Sequence, residues 1–149
     1  MPTFATMTTD FDCEKTAIAN LIAYLADGDA QPIKARIDGQ PTWYPACDMW
    51  GSPTRVAGIL QQLTGQLVGT LPAHDLMPCL VLVRTGLLTW HWVAAFGMQA
   101  SGKLWWHNGK SAWLGPLPKE WTVSCCLGVG STGKWPWWWQ LWGKLVDWI

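Results

Sequence analysis

The run Asp12-Cys13-Glu14-Lys15-Thr16-Ala17-Ile18-Ala19-Asn20-Leu21-Ile22-Ala23-Tyr24-Leu25 reads as a helix led by a cysteine, with Asp10 or Asp12 available as N-cap. A thiol at that position lies in the positive end of the helix dipole, which favours thiolate over thiol. Working outward, His91-Trp92-Val93-Ala94-Ala95-Phe96-Gly97 reads as a strand that opens on a histidine, a residue able to take a thiol's proton. Lys103-Leu104-Trp105-Trp106-His107-Asn108 reads as the next strand, closed by an asparagine. Small and polar residues in Met98-Gln99-Ala100-Ser101-Gly102 suit the hairpin turn between them. A hairpin centred between Gln99 and Ala100 sets His91 opposite Asn108, with both side chains on one face.

Cysteine on a helix, then histidine, then asparagine is the order of a papain-like triad. The chain resembles the C39-like peptidases, a bacterial and phage branch of those enzymes. Asp12, Cys13, Thr16, Ala17 and Asn20 match the family's nucleophile helix, and Gly51-Ser52-Pro53-Thr54-Arg55-Val56-Ala57-Gly58-Ile59-Leu60 matches a second helix begun by Ser-Pro. Pro78-Cys79-Leu80-Val81-Leu82-Val83 matches a strand after a proline; His91, Trp92, Val93 and Gly97 match the histidine strand, and Asn108 the final position. The likeness spans residues 10 to 110 and implies a papain-like α+β fold. It also implies a catalytic triad of Cys13 as nucleophile, His91 as general base and Asn108 as orienting residue.

Three departures bear on that chemistry. Glu14 stands where the family usually has glycine, and a carboxylate beside the thiol disfavours the thiolate. Met7 stands six residues before Cys13, where a glutamine commonly supplies an oxyanion donor; losing such a donor costs on the order of 3 kcal/mol of transition-state stabilisation. Thr8 or Thr9 could offer a hydroxyl instead. Trp90 replaces a residue that is usually small. Read without the family, Cys13 is a core thiol, His91 a structural histidine and Asn108 a turn residue before Gly109. His107 competes with Asn108 but alternates to the other face of its strand.

Composition sets the frame. A chain of 149 residues is long enough for one domain with its own core. Ten basic and ten acidic residues cancel, without runs of either sign, which argues against a nucleic-acid partner. The first ten residues have neither a basic start nor an apolar stretch, so a cytoplasmic protein without signal peptide is expected, free or incorporated into a larger assembly. No apolar segment approaches the ~20 residues that span a bilayer as a helix. Five cysteines include no Cys-x-x-Cys, and Cys125 and Cys126 should face opposite ways in a strand. Reduced, mostly buried thiols are expected, and the spacing of His74, His91 and His107 gives no zinc site. No metal or cofactor is expected.

The organisation expected is a helix at 13–26, an irregular stretch at 27–51 with an aromatic knot of Trp43, Tyr44 and Trp50, and a second helix from Pro53 to near Gly65 capped by Ser52. Strands follow at 80–84, 89–96, 103–107 and 121–127. Residues 1–128 form the papain-like domain, helices packed on an antiparallel sheet; residues 129–134 form a glycine-rich linker. Residues 135–149 form an apolar helix carrying six of the fourteen tryptophans. Such a helix wants a cover: another protein chain, a second copy of itself or, with only Lys144 on its polar stripe, less readily a membrane surface. Two functions follow. One is a small thiol hydrolase acting on a peptide or isopeptide bond of a peptide or protein substrate. The other is a catalytically inactive module of the same fold serving assembly, in a phage or bacterium, through its tail.

Overall fold

A computed structural model describes residues 1–9, 12–38 and 53–134, together with Leu141. Within them lie helices α1 (Cys13–Ala26), α2 (Ala30–Asp38) and α3 (Pro53–Thr64) and strands β1 (Val68–Thr70), β2 (Cys79–Arg84), β3 (Trp90–Met98), β4 (Leu104–His107), β5 (Ala112–Leu114) and β6 (Thr122–Val129). The strands form one antiparallel sheet in the order β1-β6-β2-β3-β4-β5. The class is α+β, with helices packed on an antiparallel sheet, as the sequence implies.

Helix α1 is the centre of the molecule. Residues on most of its circumference are buried, from Cys13 and Glu14 through Ile18, Asn20 and Leu21 to Ala23, because it touches α2 and α3 as well as β2 and β3. It stops at Asp27, which takes the left-handed conformation at φ 51°. The Gly28 and Asp27 N–H groups then close on the Ala23 and Tyr24 carbonyls, so the last turn leaves few acceptors bare.

Sheet residues alternate between two apolar layers. Leu80, Leu82, Trp92, Ala94, Phe96, Cys125 and Leu127 meet the helices. Val81, Val83, Val93, Ala95, Leu104, Trp106 and Cys126 face the other way, under Leu71, Leu117 and Trp121. Cys125 and Cys126 thus part to opposite faces, as expected for neighbours in a strand. Trp92 and Trp105 pack on the helical side, whereas Trp106 stacks on Trp113 and meets Trp121 on the far side.

Several sequence expectations need correction. The stretch expected to be irregular contains α2, with Asp29 Oδ1 accepting the Gln31 N–H at 3.0 Å and Pro32 in the first turn, where no N–H is needed. Strands β1 and β5, three residues each, carry too little pattern to have been read. The hairpin between β3 and β4 turns over Gln99–Lys103, and a shift between Ala95 and Met98 sets Ala94 opposite His107. The expected register would have set Ala94 opposite Trp105, and the ladder ends at His107, before Asn108.

The segment expected to be a linker is tied to the sheet edge. Val129 pairs with Val68, the Gly130 N–H reaches the Leu67 carbonyl, and the Thr70 hydroxyl donates to the Lys134 carbonyl at 2.9 Å. A Cβ on Gly69 would lie 2.5 Å from the Ser131 carbonyl oxygen, so only glycine allows this approach. Asp10, Ser52, the Trp43–Tyr44–Trp50 knot and the helix at 135–149 lie outside the described residues. Among the described residues no helix is long and apolar enough to cross a membrane.

Candidate functional site

Cys13 is the first residue of α1, where first-turn N–H groups have no partner within the helix. Its side chain is 6% exposed and belongs to the helical layer of the core. Asp12 precedes it in the N-cap position, yet its side chain does not cap the helix. The carboxylate instead turns back to the incoming chain, accepting the Thr8 N–H and hydroxyl, both at 2.9 Å, and the Lys34 ammonium at 2.6 Å. Burial alone would raise the Asp12 pKa; the Lys34 ammonium and the Thr8 donors outweigh it and keep the carboxyl below its ordinary value. Lys34 also donates to the Thr6 carbonyl at 2.8 Å. A buried ion pair therefore fixes residues 6–9 against α1 and α2.

From Thr8 the chain leads to Met7, whose N–H meets the Gly109 carbonyl at 2.7 Å. Gly109 has φ 100°, and a Cβ there would stand 2.6 Å from the Met7 sulfur and 3.6 Å from His91 Cε1. Met7, Gly109 and His91 thus share one corner, at the end of the sheet where β3 begins and β4 ends.

His91 is half-buried. It shares its side of β3 with Val93 and Ala95, and its ring meets Trp121 edge-on at 6.2 Å. Its Nε2 lies 2.5 Å from the Asn108 carbonyl oxygen. A carbonyl only accepts, so Nε2 carries hydrogen, and in the neutral ring Nδ1 keeps its lone pair. Burial, followed by the positive charge of Lys110, pushes the His91 pKa below the ordinary histidine value, against the pull of the Asn108 carbonyl. Near neutral pH this ring is an uncharged base.

Asn108 meets His91, but through its backbone and not its amide. The side-chain Oδ1 accepts the Lys110 and Ser111 N–H groups at 2.7 and 2.9 Å and so forms the turn after β4. The expected amide-to-imidazole contact is corrected accordingly. Of the three residues expected to act together, His91 and Asn108 are in contact. Cys13 lies in the helical layer, whereas His91 shares the side of β3 that faces away from the helices with Val93 and Ala95. Trp90 does not crowd the histidine: it alternates to the opposite side of β3, half exposed beneath the Arg84 guanidinium.

Sequence reasoning missed the polar groups that brace this corner. Lys34 was hidden in the stretch read as irregular. Asn20 is 1% exposed and His107 is 3% exposed; the Asn20 amide reaches His107 Nδ1 at 3.3 Å. Burial pushes the His107 pKa down to about 4. A polar residue two turns into an apolar helix was the available signal for Asn20. Among the other described thiols, burial pushes Cys125 up, and Cys79 is raised by its hydrogen bond with Cys126 and by burial, while the same bond lowers Cys126. No cluster of metal-binding side chains occurs among the described residues.

Comparison with known proteins finds no matching family model, no matching curated protein and no matching solved structure.

Proposed function

We infer that the chain is a small papain-like thiol hydrolase that cleaves a peptide or isopeptide bond. The observation that carries this reading is the 2.5 Å bond from His91 Nε2 to the Asn108 carbonyl, which orients the ring and leaves Nδ1 as the basic atom. The reaction requires His91 Nδ1 to reach Cys13 from the far side of β3, where it would take the thiol proton as Sγ attacks the substrate carbonyl carbon. The first-turn N–H of Cys13 donates to the oxygen as it gains charge. His91 returns the proton to the leaving amine as the C–N bond breaks, and water then releases the acyl group from sulfur. The helix dipole favours the thiolate and the buried Glu14 opposes it.

Alkylation of the full chain with iodoacetamide, followed residue by residue by peptide mass, tests this. Cys13 should react at pH 6 to 7 at least tenfold faster than a free thiol of pKa ~8.5 at the same pH. His91→Ala should abolish that advantage while the far-UV spectrum stays unchanged. Cys13 reacting no faster than in denatured protein would exclude the hydrolase.

The burial of Cys13 and the apolar Met7 at the oxyanion position favour a second reading, an inactive module of this fold used in assembly. Its partner surface would be residues 135–149, taken up by another chain or a second copy. Sedimentation of the full chain against residues 1–134 tests it: the full chain should associate and the shorter one should not. Equal sedimentation of both would remove this reading.

A further inference from the structure

His91 is aimed by a backbone carbonyl, so whatever fixes the backbone at residues 107–109 also fixes the imidazole. The Asn108 C=O and the Gly109 N–H belong to one planar peptide unit and point in opposite directions. The carbonyl end accepts from His91 Nε2. The N–H end donates to His107 Nδ1 at 3.0 Å. One rigid plane therefore joins a half-buried histidine on one side to a buried histidine on the other.

The buried end is braced in turn. Asn20 Oδ1 accepts the Ala5 N–H at 2.7 Å, and Asn20 Nδ2 donates to the Ala5 carbonyl at 3.1 Å, so the amide fits only one way round. Its Nδ2 consequently presents a donor to His107 Nδ1 at 3.3 Å. With two donors aimed at it, Nδ1 carries a lone pair, and the neutral ring keeps its proton on Nε2. Phe4 packs edge-on against the same ring at 5.3 Å.

We propose that Asn20 and His107 are positioning residues for His91, acting through the Asn108–Gly109 peptide. Their effect is to lock the tilt of that peptide, and with it the side of the His91 ring that bears the proton. The proposal rests on His91 being the base of the hydrolase; its own claim concerns the tautomer and stands or falls separately.

Nitrogen-15 spectra of the histidine rings in the full-length protein at pH 8 test it. Wild-type His91 should appear as a single Nε2–H tautomer. In His107→Phe, which keeps a ring against Phe4 but accepts no hydrogen bond, His91 should become a mixture of both tautomers, and Cys13 alkylation at pH 6.5 should fall at least fivefold. His107→Gln, whose side-chain oxygen can accept from Asn20 and Gly109, should restore the single tautomer. If His107→Phe does not fold, Asn20→Ser takes its place with the same outcomes. A folded variant whose His91 remains entirely Nε2–H overturns the proposal. A mixed tautomer in the variant, alongside a wild-type Cys13 that is never faster than a denatured thiol, upholds the positioning role and removes the hydrolase instead.

Discussion

Lys34 Nζ lies 2.6 Å from Asp12 Oδ2, and both side chains are almost entirely inside the protein. Two charges withdrawn from water need each other, since removing one leaves the other buried and uncompensated. Lys34→Met should destabilise the chain by on the order of 3 kcal/mol, and Asp12→Asn added to it should recover more than half. Urea unfolding of the two single variants and the double variant measures the coupling. Because folding lowers the Asp12 pKa, the pair's contribution is full above the ordinary carboxyl value of 3.8 and is lost as pH falls through the folded value. Equal stability of Lys34→Met and wild type would show that the Thr8 donors alone suffice.

Acid should act on His107 at a higher pH than it acts on Asp12. The folded ring titrates at about 4 against an ordinary 6.5, so between those values the unfolded chain binds the extra proton. Stability should be full above pH 6.5, decline as pH drops, and level off below pH 4, with a total loss of up to about 3 kcal/mol. His91, also lowered, adds a loss of the same sign. Urea midpoints at pH 8, 6, 5 and 4 for wild type and His107→Phe isolate the His107 share. Parallel curves would show that this ring titrates normally.

Gly109→Ala meets two obstacles, a φ of 100° and the Met7 sulfur 2.6 Å from the new methyl. A loss on the order of 2 kcal/mol is expected in thermal or urea unfolding. Met7→Ala in the same chain should relieve the steric part and leave the backbone part, so the two changes will not add. Strict additivity would mean that Met7 and Gly109 do not touch.

Asn108→Ala separates the backbone role from the amide role. The turn should lose about 1 kcal/mol with the two bonds from Oδ1. The carbonyl that meets His91 survives the substitution, so the rate of Cys13 alkylation should change less than threefold. A loss of tenfold or more would return the orienting task to the amide.

What could be read in the chain, and what could not, follows from the range of the interactions. Helices α1 and α3 announce themselves through Asp12 and Pro53 at their starts, and the long strands through their apolar runs. Helix α2 hides because its cap and first-turn proline resemble loop composition. The contact between His91 and residue 108 is anticipated by the sequence, but the atom is not, because the turn centres on Ser101 rather than between Gln99 and Ala100, which moves every partner along the hairpin. Lys34 and His107 carry no local sign of burial; their partners are Asp12 and Asn20, far away in sequence. The glycine-rich run after Gly128 shows the opposite failure. Composition suggests freedom there, while close backbone packing requires the same glycines.

The segment from Thr3 to Thr9 is stitched to Gly28, Asn20, Asp12 and Gly109, and the last of these lies about a hundred residues downstream. It leaves the ribosome long before Gly109 and cannot find its place until the turn that receives Met7 has been synthesised. Until then Phe4 and Met7 have no docking surface, and α1 lacks the strands beneath it. Final closure of the described residues therefore waits for the emergence of residues 107–111, and the corner of Met7, Gly109 and His91 assembles only then.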